Sequence, residues 1–406
     1  MTTDSVAIAQ RFVQLALALD RHIPGYIDAY FGPPEWKEHS LAAGPQPIAD
    51  LTREAAALAI DTAQATELDE QRRDYLSRHV TAMQTSLRLL QGEQMPLAEE
   101  VTLLYDITPH WIDEREFDEV HRQLDDLLPP GDSLFERIDQ RKRSTEISYT
   151  QAEPLLSIIM AHLRELTRTR FPLPDDESFT LHPVTNQPWA AYNWYLGGGR
   201  SRIEMNTDQP LRITRLAITL AHEGYPGHHT ELSIKDARLL HAQGQMENCV
   251  AFINAPSCVV AEGIAVRALD VLMSEEDQIR WHADEIFPRV GYTHLDAARE
   301  HAIDKVTDIL SGVWDNAAFL LHDQHQSKAE VNAYFQRYGL FRPGEAERAV
   351  TFISDPLSRS YVFNYDTGGK LLDALFAAQG NVDHWFTRLL TEPVTPQQIR
   401  TWTTHA

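Results

Sequence analysis

The sequence predicts a mainly α-helical protein with one small β insertion, built as a single domain of two lobes. Three observations predict it. Apolar residues recur at three- and four-residue spacing over long stretches, the period of a helix with one buried face. Short segments rich in Gly and Pro punctuate those stretches. Residues 179–206 replace the helical period with aromatics and a triple-glycine turn, the pattern of a hairpin or small sheet of two to three strands.

In chain order, Ala9, Phe12, Val13, Ala16 and Leu19 share one face of a first helix, and the turn Gly32-Pro33-Pro34 follows it. Leu76, Val80, Met83, Leu87 and Leu90 form the seam of a long packed helix, after which Pro129-Pro130-Gly131-Asp132 breaks the chain again. The segment Phe171-Pro172-Leu173-Pro174-Asp175-Asp176 marks the boundary between an N-terminal helical lobe, residues 1–170, and a C-terminal catalytic lobe, residues 171–406. The β insertion then turns at Gly197-Gly198-Gly199 and closes on Arg202-Ile203-Glu204-Met205-Asn206. Residues 216–221 are apolar but for Thr219 and read as a buried helix, and Leu295, Ala298, Ala302, Val306 and Ile309 give the seam of a late one.

Composition narrows the function classes. The formal charge of −23 argues against nucleic acid and against an anionic membrane surface, since both would repel the chain. The two cysteines, Cys249 and Cys258, exclude a disulfide framework and lack zinc-knuckle spacing, so they read as buried thiols in a reducing compartment. The N-terminus has no basic n-region, and Gln10, Arg11 and Gln14 interrupt the apolar run behind it, so a cytoplasmic location is expected.

The segment His222-Glu223-Gly224-Tyr225-Pro226-Gly227-His228-His229 carries the chemistry. A buried Glu beside a His costs several kcal/mol unless a divalent cation compensates it. In zinc hydrolases H-E-x-x-H sets two His on one helical face, with the Glu as general base. Here Pro226 stands four residues after His222, and a proline inside a helix loses a hydrogen bond and clashes with the preceding turn. The helix must bulge or break at Pro226-Gly227. A two-residue insertion of that kind brings His228 into register as second ligand, whereas a helix that ran through would bring His229 there instead, seven residues on. His229 is the alternative ligand, or a donor behind the ligands. Glu262, the one carboxylate in the apolar stretch 259–265, is the candidate third ligand, with a buried salt bridge as the competing reading.

These residues resemble a known family. The HE-x-x-P-G-H-H segment and the E-G-x-A helix about thirty-five residues later are similar to the signature of the bacterial domain-of-unknown-function 885 family, which belongs with the gluzincin-type metallopeptidases. The resemblance extends to Tyr26-Ile27-Asp28-Ala29-Tyr30-Phe31-Gly32-Pro33, to Ile203-Glu204-Met205-Asn206, to Asn316-Ala317-Ala318-Phe319-Leu320-Leu321, and to the segment running from Tyr361 to Lys370. It implies His222, His228 or His229, and Glu262 as zinc ligands, Glu223 as general base, and a helical fold with a deep cleft. Gly224, Tyr225 and Ile264 depart from the commonest family pattern without removing a ligand.

Tyr361 and Tyr365 are candidate donors to an oxyanion, with Tyr365 preferred for its place nearer Gly368-Gly369. Asn206 and the strand before it are candidates to pair with an extended peptide, and Arg202 to meet a substrate carboxylate. The expected function is a zinc-dependent hydrolase acting on a peptide or amide bond of a small peptide-like substrate. The alternatives are a non-haem metal oxygenase, since two His and a carboxylate also make the iron facial triad, and a helical binding protein with a structural metal site.

Overall fold

The computed structural model describes residues 3–187 and 189–404, and helices dominate it. The first helix, Thr3–Asp20, buries Ala9, Phe12, Val13, Ala16 and Leu19, the face its spacing predicts. It packs with helices Ile48–Gln64 and Glu70–Leu90, and Leu76, Val80, Met83 and Leu87 of the latter enter the same core. Asp69 caps the longer helix by accepting from the Arg72 amide at 2.8 Å, which satisfies one of the donors a helix start leaves open. This core closes on Cys249, Val250, Phe252 and Ala255, so the N-terminal helices lie against a strand from the middle of the chain.

Seven strands occur among the described residues: β1 (Ile27–Tyr30), β2 (Glu146–Ile147), β3 (Ser178–Val184), β4 (Ala191–Gly197), β5 (Arg200–Asn206), β6 (Leu211–Arg212) and β7 (Val250–Phe252). β1 pairs with β7 and β2 with β6, both antiparallel. The expected β insertion is a three-stranded sheet in the order β3-β5-β4, with β3 parallel and β4 antiparallel to β5. Its β4–β5 turn holds Gly197, Gly198 and Gly199 at φ of 80°, 62° and 68°, the left-handed region that glycine enters without strain.

Helix Pro256–Leu272 runs through the centre of the molecule. Val260, Ile264, Ala268 and Leu269 belong to one core, Val259 to a second, and Cys258 touches the N-terminal one. It crosses helix Phe363–Gln379 backbone to backbone. A Cβ on Gly263 would stand 2.7 Å from the Gly368 carbonyl oxygen, and one on Gly368 would stand 2.5 Å from that of Val259. Any larger residue at either position would push the helices apart.

One expected seam is differently turned. Helix Ala297–Asp308 forms, but its buried residues are Ala297, Glu300, Ile303 and Asp304, while Ala298 and Ile309 are exposed and Leu295, Ala302 and Val306 only partly covered. The cause is Arg141, whose Nε lies 2.7 Å from Glu300 Oε2 and whose Nη2 lies 2.8 Å from Asp304 Oδ1. A buried guanidinium with two carboxylate partners outweighs a weak apolar stripe in choosing which face turns inward. The described residues contain no helix long and apolar enough to cross a membrane.

Candidate metal centre

Local sequence builds the centre from a helix that stops and starts again. Helix Leu216–Glu223 ends at Gly224, and helix His228–Lys235 begins four residues later. Pro226 cannot continue the first helix, and Gly227 lets the chain double back onto it, donating its amide to the Ala221 carbonyl at 3.0 Å. A Cβ on Gly227 would stand 1.9 Å from the His222 carbonyl oxygen, so glycine is required there. The return brings the His228 ring to 4.8 Å from that of His222, at an interplanar angle of 88°.

Glu262, one residue from the Gly263 crossing, completes the group. Its Oε2 lies 3.5 Å from His222 Nε2 and its Oε1 3.9 Å from His228 Nε2. One ligand atom from each of His222, His228 and Glu262 lies within 4.8 Å of the other two. The Tyr361 hydroxyl donates to Glu262 Oε1 at 2.5 Å, while Oε2 is buried with no hydrogen-bond partner among the described residues. A buried carboxylate oxygen left unpaired costs several kcal/mol, and a divalent cation between the two imidazoles and this oxygen removes that cost. Two neutral imidazoles and a carboxylate are a donor set suited to zinc and to other first-row metals, so the residues present fit such an ion.

The electrostatics agree with that assignment. Burial, then the charge of Glu262 and of Asp28, pushes Glu223 up to about 8. Burial likewise carries Glu262 up to about 8 despite the Tyr361 hydrogen bond, with Asp28 and Glu231 adding to the rise. His222 is held well below the usual imidazole range by burial and then by His228 and Arg215, and His228 is lowered by burial. Neutral imidazoles are the form that binds metal.

The other candidate residues fall in different places. His229 is fully buried outside the group, with Nδ1 2.8 Å from Ser201 Oγ and Nε2 2.8 Å from Glu177 Oε2. Both ring nitrogens are taken, so neither is available to an ion, and its partners are not the ligands. Tyr365 lies beside the group, its ring centroid 6.5 Å from that of His222 and 5.8 Å from that of Tyr361. It is 37% exposed and its hydroxyl has no partner among the described residues. Asn206 lies elsewhere: its amide donates to the carbonyls of Gln187 at 2.9 Å and Trp189 at 3.0 Å, tying down the loop before β4. The strand it ends, β5, is the middle strand, hydrogen-bonded on both sides, so a peptide cannot add to it. The sheet edge that reaches the metal helix is β4, where Asn193 donates to the Glu223 carbonyl at 2.6 Å. Arg202 is spent locally, on Glu204 at 2.9 Å and over the Trp194 ring.

Two residues near the centre carried no separate signal in the sequence. Glu177 accepts from Tyr225 at 2.5 Å, from His229 at 2.8 Å and from Arg164 at 2.5 Å. Burial raises its proton affinity, but these three donors together hold it below the usual carboxylate range. Because Tyr225 and His229 bracket Pro226, Gly227 and His228, Glu177 clamps both ends of the turn that presents the second histidine. Asp28, on β1, accepts from the Tyr192 hydroxyl. It lies within the segment 26–33 that resembles the family, with nothing in the sequence to separate it from its neighbours.

No family model matches the chain, and no curated protein does. Solved structures share its fold. A protein from Colwellia psychrerythraea described as a lipoprotein matches with a TM-score of 0.54 at 13% identity, covering 88% of this chain and 67% of its own. A lipoprotein of unknown function from Shewanella oneidensis matches with a TM-score of 0.51 at 12% identity, covering 90% and 75%. A carboxypeptidase from Pyrococcus furiosus aligns with a TM-score of 0.43 at 12% identity, covering 97% and 90%. At these identities the first two likenesses establish a shared, mainly helical fold.

Proposed function

We propose that the protein is a zinc-dependent hydrolase that cleaves a peptide or amide bond in a small peptide-like substrate, and that it belongs with the helical gluzincin-type peptidases its motif resembles. The observation that carries this reading is the convergence of His222, His228 and Glu262 on one point, with a buried carboxylate oxygen left unpaired and a second carboxylate, Glu223, next to the first ligand. The same donor set would serve an oxygenase, but Glu223 has the position and proton affinity of a general base, which hydrolysis uses.

Zinc, when bound, supplies a Lewis acid that polarises the scissile carbonyl and makes water more acidic. The residues do the rest. Glu223, with its proton affinity raised toward neutrality, accepts a proton from the attacking water and returns it to the departing amine. Tyr365, whose ring lies 6.5 Å from that of His222 and whose hydroxyl has no partner among the described residues, donates to the oxygen that gains charge as the carbonyl becomes tetrahedral. Tyr361 is committed to Glu262 and fixes the carboxylate that would ligate. The free edge of β4, bound to the end of the metal helix through Asn193, offers backbone groups to an extended substrate.

Zinc content and kcat, measured on two variants side by side, test this. Glu223→Gln is expected to keep about one zinc per chain and its fold, and to lose about 10²- to 10⁴-fold in kcat on any substrate found. Glu262→Gln is expected to lose the metal itself, since a neutral amide is a poor zinc ligand. A Glu223→Gln protein with unchanged kcat, or one empty of zinc, would remove the base and with it the mechanism.

A further inference from the structure

The metal helix has an open side with opposite charges at its ends. From Ile213 to Glu223 the only residues not fully buried are Arg215, Ile218, Thr219 and His222. Their spacing places them on one face, so this is the face of the helix that solvent reaches. Arg215 is at one end of it and His222 at the other, seven residues apart, or about 10 Å at 1.5 Å per residue.

At the Arg215 end, Nη1 alone is engaged, donating to both oxygens of Asp308 at 2.8 and 2.9 Å. Its Nε and Nη2 have no partner, and Arg212 close by forms no ion pair among the described residues. At the other end stands Asp28. Tyr192 donates to its Oδ1, and the next residue on β4, Asn193, donates to the carbonyl of Glu223 at 2.6 Å. Through these bonds β4 links Asp28 of β1 to the C-terminal end of the metal helix. Its charge is felt by Glu223, Glu262 and Tyr365. Its Oδ2 carries no hydrogen bond, and no Lys, Arg or His stands within ion-pair distance of it among the described residues.

We propose that Asp28 and Arg215 are specificity-determining residues that select short peptides with both ends free, Asp28 receiving the α-ammonium group and Arg215 the terminal carboxylate; this rests on the hydrolase reading above. A ligand carrying both charges supplies the counter-ion that Asp28 lacks and an acceptor for the Nε and Nη2 donors that Arg215, paired with Asp308 through Nη1, leaves open. An extended chain advances about 3.4 Å per residue, so the length of the helix corresponds to about three residues between the metal centre and Arg215. With the ammonium group held close to Glu223 and Glu262, the class is a tri- to tetrapeptide cut near its amino end.

The test is calorimetric titration of zinc-loaded Glu223→Gln protein, which binds without turning over, with tetraalanine in four forms: free, N-acetylated, C-amidated and doubly blocked. Each single block is expected to weaken binding by tenfold or more. Asp28→Asn is expected to abolish the penalty for acetylation and keep that for amidation, and Arg215→Met to do the reverse. Tyr192→Phe removes the hydroxyl that orients Asp28 and is expected to reduce the acetylation penalty alone, which serves if Asp28→Asn fails to fold. Equal binding of all four peptides, binding of none, or variants that leave the pattern unchanged would overturn the proposal. Turnover by the zinc-loaded wild-type protein is scored separately: if it cleaves no peptide the hydrolase reading fails, whatever these titrations give.

Discussion

At the scale of single residues, adjacent histidines have been given different work. His228 and His229 follow one another, yet the turn ahead of them sends one ring toward His222 and the other into a pocket formed by Glu177 and Ser201. His228→Ala is expected to lose metal affinity by orders of magnitude. His229→Ala removes one donor from the buried Glu177 carboxylate, so its main effect is on stability, about 1–3 kcal/mol, with at most the 10–100-fold loss of affinity typical of residues behind the ligands. Zinc titration and denaturant unfolding of both variants check this, and equal losses of affinity would contradict it. Part of this was legible beforehand, because Pro226 announces a break in the helix wherever it occurs. The break already pointed to His228 over His229, but the clamp that holds the turn is Glu177, whose three donors lie 13, 48 and 52 residues away in the chain. No local pattern reports partners at that distance.

At the scale of elements, helices with strong apolar stripes were readable and the one with a weak stripe was not. Leu76, Val80, Met83 and Leu87 turned inward as their spacing predicts. In helix Ala297–Asp308 the small residues Ala298 and Ala302 offered little area to bury, and the ion pairs of Arg141 with Glu300 and Asp304 decided the rotation instead. All three side chains are at most 10% exposed. Arg141→Met would leave two buried carboxylates without a counter-charge, an expected cost of about 3–5 kcal/mol. Thermal or urea unfolding gives the number. A loss below 1 kcal/mol would show the pairs to be well hydrated and the rotation to have another cause. The triple glycine announced the β4–β5 hairpin, but β3 passes over β4, its neighbour in the chain, to pair in parallel with β5, and nothing in a strand's own sequence says which neighbour it will take.

For the whole molecule, the proposed metal centre contributes to how stability changes with pH. Glu223 and Glu262 are both raised from 4.5 to about 8, burial being the first cause in each. A carboxyl group with a raised folded value holds more protons folded than unfolded, so its contribution falls as pH rises from the unfolded value toward the folded one. His222 and His228, lowered from 6.5, act in the opposite sense, but above about that pH the unfolded histidines are neutral as well. Between pH 6.5 and about 8 the two carboxylates are left to act at this centre. The metal-free protein is therefore expected to lose Tm across that window. Saturating zinc, by holding both carboxylates ionised, is expected to flatten the slope. Thermal melts at half-unit pH steps, with chelator and with zinc, decide it, and identical slopes would place these titrations outside the metal centre.

The contact between Gly263 and Gly368 also governs when the centre can exist during synthesis. Glu262 receives its hydrogen bond from Tyr361, 99 residues further along, and the helix that begins just after that tyrosine must dock before the two glycines meet. A chain emerging from the ribosome thus displays both histidines and the glutamate well before the segment that braces them has been made. Contacts so far apart in sequence form late, so whatever cation the nascent chain first encounters meets three loosely held side chains. Selection among metals by the proposed centre then falls to the finished protein, in which Tyr361 and the glycine crossing hold Glu262 in place.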